Sequence, residues 1–148
     1  IDMSKLQENI QTFEIFIIED DPIFTNLYKK NLQKTFRQIG QNLKLCSFTN
    51  CIDAITALPD DCQPPALFIL DVLLTGPDGF AFLNEIASYS DLSRVPVIII
   101  SSLNFPEQSF ESYNIIKILN KATMTPQDLS AAVISSLNLK NTSQEGNN

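Results

Sequence analysis

Five short apolar runs recur along this chain, and each is followed by a stretch with the spacing of a helix. The runs are Phe13–Ile18, Leu43–Phe48, Ala66–Leu70, Val95–Ile100 and Ile115–Leu119. They are rich in Ile, Phe, Val and Leu, and the third and fourth are almost wholly apolar. A strand apolar at every position has to be covered on both faces, which is the situation of strands inside a parallel sheet. Alternation of such strands with helices predicts an α/β fold of the doubly wound (βα)5 type, five parallel strands with helices on both faces.

The helical stretches carry their own punctuation. The first spans about Ile23–Phe36, with Ile23, Leu27, Leu32 and Phe36 as its apolar stripe and Pro22 suited to its first turn. A second covers about Ile52–Leu58 and stops before Pro59. A third covers about Gly79–Tyr89, with Asp78 placed to cap it and Phe80, Leu83 and Ala87 on one face. A fourth, about Glu107–Tyr113, is weak and short. In the last, Thr125, Pro126 and Asp128 form a start signal of capping-box type, and Leu129, Val133 and Leu137 form the stripe. Residues 1–12 read as a polar N-terminal extension, 13–139 as the domain, and 140–148 as a frayed polar tail.

Composition narrows the function. With 44% hydrophobic and 18% charged residues the 148-residue chain is globular, and it is long enough for a core without disulfides or a structural metal. No apolar run approaches the ~20 residues that cross a bilayer, and the polar start lacks the core of a secretory signal, so the cytoplasm is the expected location. The net charge of −7 argues against direct contact with nucleic acid. The chain has no His, which removes His catalysis and His metal ligands. Cys46, Cys51 and Cys62 form no CxxC pair and read as reduced thiols.

In open α/β sheets, ligands bind beyond the carboxyl ends of the strands. Polar groups fall there in order: Glu19-Asp20-Asp21 after the first strand, Asp71 after the third, Ser101-Ser102 after the fourth and Lys121 after the fifth. Gathered carboxylates repel one another. A divalent cation with a taste for hard oxygen ligands, Mg²⁺ or Ca²⁺, relieves that repulsion. A Lys beside them adds a charge suited to phosphate. Carboxylate nucleophile, metal, hydroxyl and ammonium together suit phosphoryl transfer. No glycine-rich nucleotide loop is present, so the donor is not expected to be a nucleotide bound by this chain.

The segments FIIEDDP at 16–22, LFILDVLLTGPDGF at 67–80, VPVIIISS at 95–102 and ILNK at 118–121 resemble the receiver domains of two-component response regulators, over about Phe13–Leu139. The resemblance implies the flavodoxin-like receiver fold and a signalling switch rather than an enzyme. Asp71 matches the phosphoacceptor. Asp20 matches a direct Mg²⁺ ligand and Glu19 one acting through water, with the Leu73 carbonyl as a further ligand. Ser101 matches the switch hydroxyl and Lys121 the phosphoryl-pairing Lys. Asp78-Gly79 match the turn that opens the third helix, and Asp21 has no assigned role. The implied partners are a histidine kinase or histidine phosphotransfer protein as donor and an output protein or domain as target. A homodimer is also compatible with the family. The length leaves no room for an appended output domain, so the chain is expected to act on a partner or to be part of a longer protein.

Three positions depart from the family pattern. Ala122 follows Lys121 where Pro with a cis bond is usual, and a cis bond before a non-proline residue costs ~3–4 kcal/mol. Ile118 stands where an aromatic switch residue is common. Thr75, with Pro77 nearby, replaces the usual Pro after the acceptor. The 20 residues from Ser101 to Lys121 also shorten the fourth helix, part of the usual output face. Ile118, Ala122 and that helix leave an alternative open, a phosphorylation-independent pseudo-receiver. A phosphatase working through Asp71 is disfavoured by the resemblance and because Leu73, not a second catalytic acid, stands two residues past the acceptor.

Overall fold

The computed structural model describes residues 11–58, 63–74 and 78–140. Most of the 1–12 extension, the 141–148 part of the tail, Pro59, Cys62, Thr75 and Pro77 lie outside the described residues.

The elements run β1 (Thr12–Ile18), α1 (Pro22–Ile39), β2 (Asn42–Phe48), α2 (Cys51–Thr56), β3 (Leu67–Leu70), α3 (Gly79–Ala87), β4 (Val97–Ser101), β5 (Ile115–Asn120) and α4 (Pro126–Ser136). The five strands form one parallel sheet in the order β2-β1-β3-β4-β5. The chain order reverses between β1 and β3, which is where open sheets of this order bind ligands. β3 and β4 are buried at every position, as their unbroken apolar sequences require.

Alternation along β1 divides the core. Ile15 and Ile17 face α1 and α4, where Tyr28, Leu32, Phe36, Leu129 and Val133 cover them. Phe16 and Ile18 face α2 and α3, against Ala54, Phe82, Leu83 and Ile86. The caps read from the sequence are present. Asp78 accepts the Ala81 amide at 3.2 Å, and Thr125 and Asp128 form a reciprocal capping box.

Two apolar stripes lie elsewhere than expected. On α1 the buried face is Tyr28, Leu32, Thr35, Phe36 and Ile39, while Ile23 and Leu27 are 68% and 57% exposed. Leu27 and Leu32 sit five residues apart, about 140° around a helix, so they cannot share a face. On α3 the buried residues are Gly79, Phe82, Leu83 and Ile86, with Phe80 half-buried and Ala87 exposed. The expected helix over 107–113 is a single 3-10 turn, Glu107–Phe110, which follows directly on Pro106. So short a segment cannot offset helix nucleation by itself. It is held instead by aromatic contacts: Phe110 stacks on Phe80 at 5.3 Å, and Phe105 meets both rings edge-on.

Cys51 opens α2 with its thiol buried and donating to the Asp78 carbonyl at 3.2 Å. Burial pushes this thiol up to about 11 from 9.0. At pH 8 its alkylation is therefore expected to run at least about a hundredfold slower in the folded protein than in urea. Equal rates in native and unfolded samples, read by mass at Cys51, would contradict that burial.

Candidate functional site

The sheet's own hydrogen bonds carry its register into the loops at its carboxyl edge. Glu19 N–H donates to Phe48 at 2.9 Å, Asp71 N–H to Ile18 at 3.0 Å and Lys121 N–H to Ser101 at 2.9 Å. Each bond lies one residue past its strand, so the backbones of Glu19, Asp71 and Lys121 are as constrained as the strands they follow. Asp21 turns the chain away from the site, capping α1 by accepting the Ile23 amide at 2.9 Å.

The side chains converge. Lys121 Nζ lies 2.7 Å from Glu19 Oε1 and 2.8 Å from Asp71 Oδ2. Asp71 Oδ1 accepts the Leu73 amide at 2.9 Å, which fixes the plane of the carboxylate. Glu19 Oε2 accepts the Asp21 amide at 3.2 Å, and Glu19 Oε1 accepts the Tyr28 hydroxyl at 3.4 Å. Oxygens of Glu19, Asp20 and Asp71 all lie within 4.8 Å of one another. Ser101, the last residue of β4, is fully buried, and its Oγ accepts the Leu103 amide at 3.2 Å.

Burial drives the electrostatics. Glu19 and Asp71 are 2% and 5% exposed. Burial pushes the Glu19 carboxyl above its ordinary value, against the opposing pull of the Lys121 ammonium and the Asp21 amide. Burial alone would lower Lys121, but its bonds to Asp71 and Glu19 outweigh that and raise it, so the ammonium stays charged. Burial, then the negative charges of Glu19 and Asp71, push the Tyr28 phenol well above its usual range and keep it a donor. Three carboxylates converge beside one ammonium, which concentrates negative charge at this edge. With hard oxygen donors only, this set fits a metal ion that prefers oxygen ligands.

No protein-family model matches the sequence, and no curated protein does. Solved structures do match. The signal receiver domain of a signal transduction histidine kinase from Syntrophus aciditrophicus is 26% identical, with 85% of this chain and 90% of that one covered at a TM-score of 0.69. A two-component response regulator from Cytophaga hutchinsonii is 19% identical over 88% of this chain and 99% of its own, at 0.71. The fold is that of the response-regulator receiver domains. A third similar structure is the Mn²⁺-bound form of the response regulator Rcp1, 22% identical over 86% of this chain and 95% of that one, at 0.64.

Within the receiver fold, the expected site residues Glu19, Asp20, Asp71 and Lys121 come together, while Ser101 bonds the loop that follows it and Leu73 lends its amide to Asp71. Among the described residues no peptide bond is cis, so the Lys121–Ala122 bond is trans. Asn120 organises that turn: its side chain accepts the Ala122 amide at 2.8 Å, a bond proline could not donate. Its carbonyl accepts the Met124 amide at 2.9 Å.

Sequence reasoning missed Asn120, and it missed two aromatic residues of α1. Tyr28 reaches Glu19, and the Phe24 ring lies 4.4 Å from Lys121 Nζ. Their four-residue spacing just past the acidic run was the available signal. Among the described residues no helix is long and apolar enough to cross a membrane.

Proposed function

We propose that this chain is a phosphoacceptor receiver domain of a two-component system, with Asp71 taking a phosphoryl group from a histidine kinase or histidine phosphotransfer protein. The observation that carries the reading is the buried pairing of Asp71 Oδ2 with Lys121 Nζ at 2.8 Å inside a three-carboxylate cluster. A receiver of this kind is a switch and not an enzyme. Asp20, Asp71 and the Leu73 carbonyl would hold Mg²⁺ directly, with Glu19 acting through water. The Mn²⁺ bound by a similar response regulator supports a divalent ion in this fold. When bound, Mg²⁺ neutralises charge on the moving phosphoryl oxygens.

The chain's own groups do the rest. An Asp71 carboxylate oxygen attacks phosphorus as the N–P bond of the donor's phosphohistidine breaks, and the electron pair leaves with the imidazole nitrogen. The Leu73 amide keeps the Asp71 carboxylate in one orientation. Lys121 exchanges its bond to Asp71 for one to the phosphoryl group. Ser101 gives up the Leu103 amide to turn its hydroxyl toward the same group, releasing the loop after β4. That movement biases a pre-existing equilibrium toward the state an output partner recognises.

Intact mass after incubation with a small phosphodonor and Mg²⁺ tests this. One added phosphoryl group is expected, absent in Asp71→Asn and absent when Mg²⁺ is chelated. No gain from any donor in folded protein would favour the phosphorylation-independent interaction module, which the 3-10 turn in place of a helix between β4 and β5 also favours.

A further inference from the structure

The phosphoryl chemistry proposed above has no use for an aromatic ring, yet α1 sends two into the site. Phe24 and Tyr28 stand one turn apart on the same side of the helix, with ring centroids 6.2 Å apart. The Phe24 ring lies 4.4 Å from Lys121 Nζ. The Tyr28 hydroxyl donates to Glu19 Oε1, the same oxygen that lies 2.7 Å from Lys121 Nζ. The four side chains thus close a ring, from Phe24 to Lys121 to Glu19 to Tyr28 and back along α1.

We propose that Phe24 and Tyr28 are positioning residues, Phe24 aiming the Lys121 ammonium at Asp71 and Tyr28 holding the Glu19 carboxylate toward the metal position. A lysine is a point charge on a flexible four-carbon stem, so its place has to be set by its surroundings. A ring face attracts the cation without offering an oxygen that would compete with a phosphoryl group. Leucine at position 24 could fill space but would not attract the ammonium. At position 28 phenylalanine would fill the same volume without burying a hydroxyl, and a buried hydroxyl costs stability unless it is bonded. Here its partner is a carboxylate of the candidate metal cluster. The roles of Lys121 and Glu19 rest on the function proposed above, whereas the contacts themselves can be tested without it.

The first readout is the proton resonances of the Lys121 Hε methylene in metal-free protein. They are expected upfield in the wild type and in Phe24→Trp, through the ring current, and near free-lysine positions in Phe24→Leu. The second is Mn²⁺ binding with no phosphodonor present, expected to weaken about tenfold in Tyr28→Phe. The third is the rate of phosphoryl uptake from acetyl phosphate with Mg²⁺. Phe24→Leu is expected to slow it about tenfold, and Phe24→Trp to recover most of that loss at matched thermal stability. Lys121 methylene protons at free-lysine positions in the wild type would overturn the role of Phe24, as would uptake in Phe24→Leu at the wild-type rate. Unchanged Mn²⁺ affinity in Tyr28→Phe would overturn the role of Tyr28. If the wild type keeps the Lys121 shift but takes up no phosphoryl group, the positioning contact stands and the receiver function falls.

Discussion

Lys121→Met is expected to destabilise the metal-free protein by about 3–5 kcal/mol, the usual cost of removing one partner from a buried ion pair. Both acceptors are shielded from water, with the side chains of Glu19 and Asp71 1% and 5% exposed and that of Lys121 11%. Without the ammonium, two close carboxylates lose their counter-charge and one has to take up a proton or open to solvent. For a domain of this size the melting temperature should fall by about 10–20 °C in a chelating buffer. Mg²⁺ is expected to return a large part of that loss, because a divalent ion replaces the missing positive charge among the same oxygens. Phosphoryl uptake should stay roughly 10²–10³-fold slower even with Mg²⁺, the typical effect of losing one donor to a developing anion. Circular dichroism melts with chelator and with Mg²⁺ decide the matter. A drop of only a degree or two would mean that water already reaches the carboxylates.

The second large effect is expected at Gly79, the first residue of α3. A Cβ there would lie 2.5 Å from the Val72 Cα, 2.9 Å from the Asp71 carbonyl oxygen and 3.0 Å from Val72 Cγ1. Two of these three neighbours are backbone atoms of the segment that carries Asp71, and the Gly79 amide is bonded to the Val72 carbonyl at 3.1 Å. Helix propensity alone would make Gly79→Ala stabilising, by less than the roughly 1 kcal/mol of a helix interior because Gly79 is the first helical residue. Overpacking against backbone should outweigh it, giving a net loss of about 3 kcal/mol. The sign is therefore diagnostic. Urea unfolding that moves to a lower midpoint, with slower phosphoryl uptake at Asp71, is the expected outcome. A higher midpoint would show that α3 can shift away from the Asp71 loop at little cost.

The parts of the fold that could be read in advance are those set by local chemistry. The apolar runs mark the strands because a buried backbone and a two-faced cover admit few other residues. Thr125-Pro126 and Asp78 mark helix starts because exposed amides there need an acceptor close in sequence. The carboxylates, Ser101 and Lys121 were legible as a group because parallel strands all end on the same edge. Asp71 and Lys121 are therefore neighbours once strand order is right, although 50 residues separate them.

Tertiary packing settled which side of each helix is covered and which side chains reach across the edge. Ile23 and Leu27 are as apolar as Leu32, yet they are exposed, because α4 and the sheet meet α1 on the side of Tyr28, Leu32 and Phe36. Periodicity states that a helix has an apolar side; the angle at which it docks selects the residues. The segment after β4 is a 3-10 turn at which two rings, Phe105 and Phe110, pack on Phe80 of α3, a contact that local propensity does not encode. Phe24 and Tyr28 joined the site for the same reason. The Phe24 ring meets the Lys121 ammonium only because α1 packs against the loop after β5, nearly a hundred residues on, and the Tyr28 phenol, though nine residues from Glu19, reaches its carboxylate only once α1 folds back beside the end of β1.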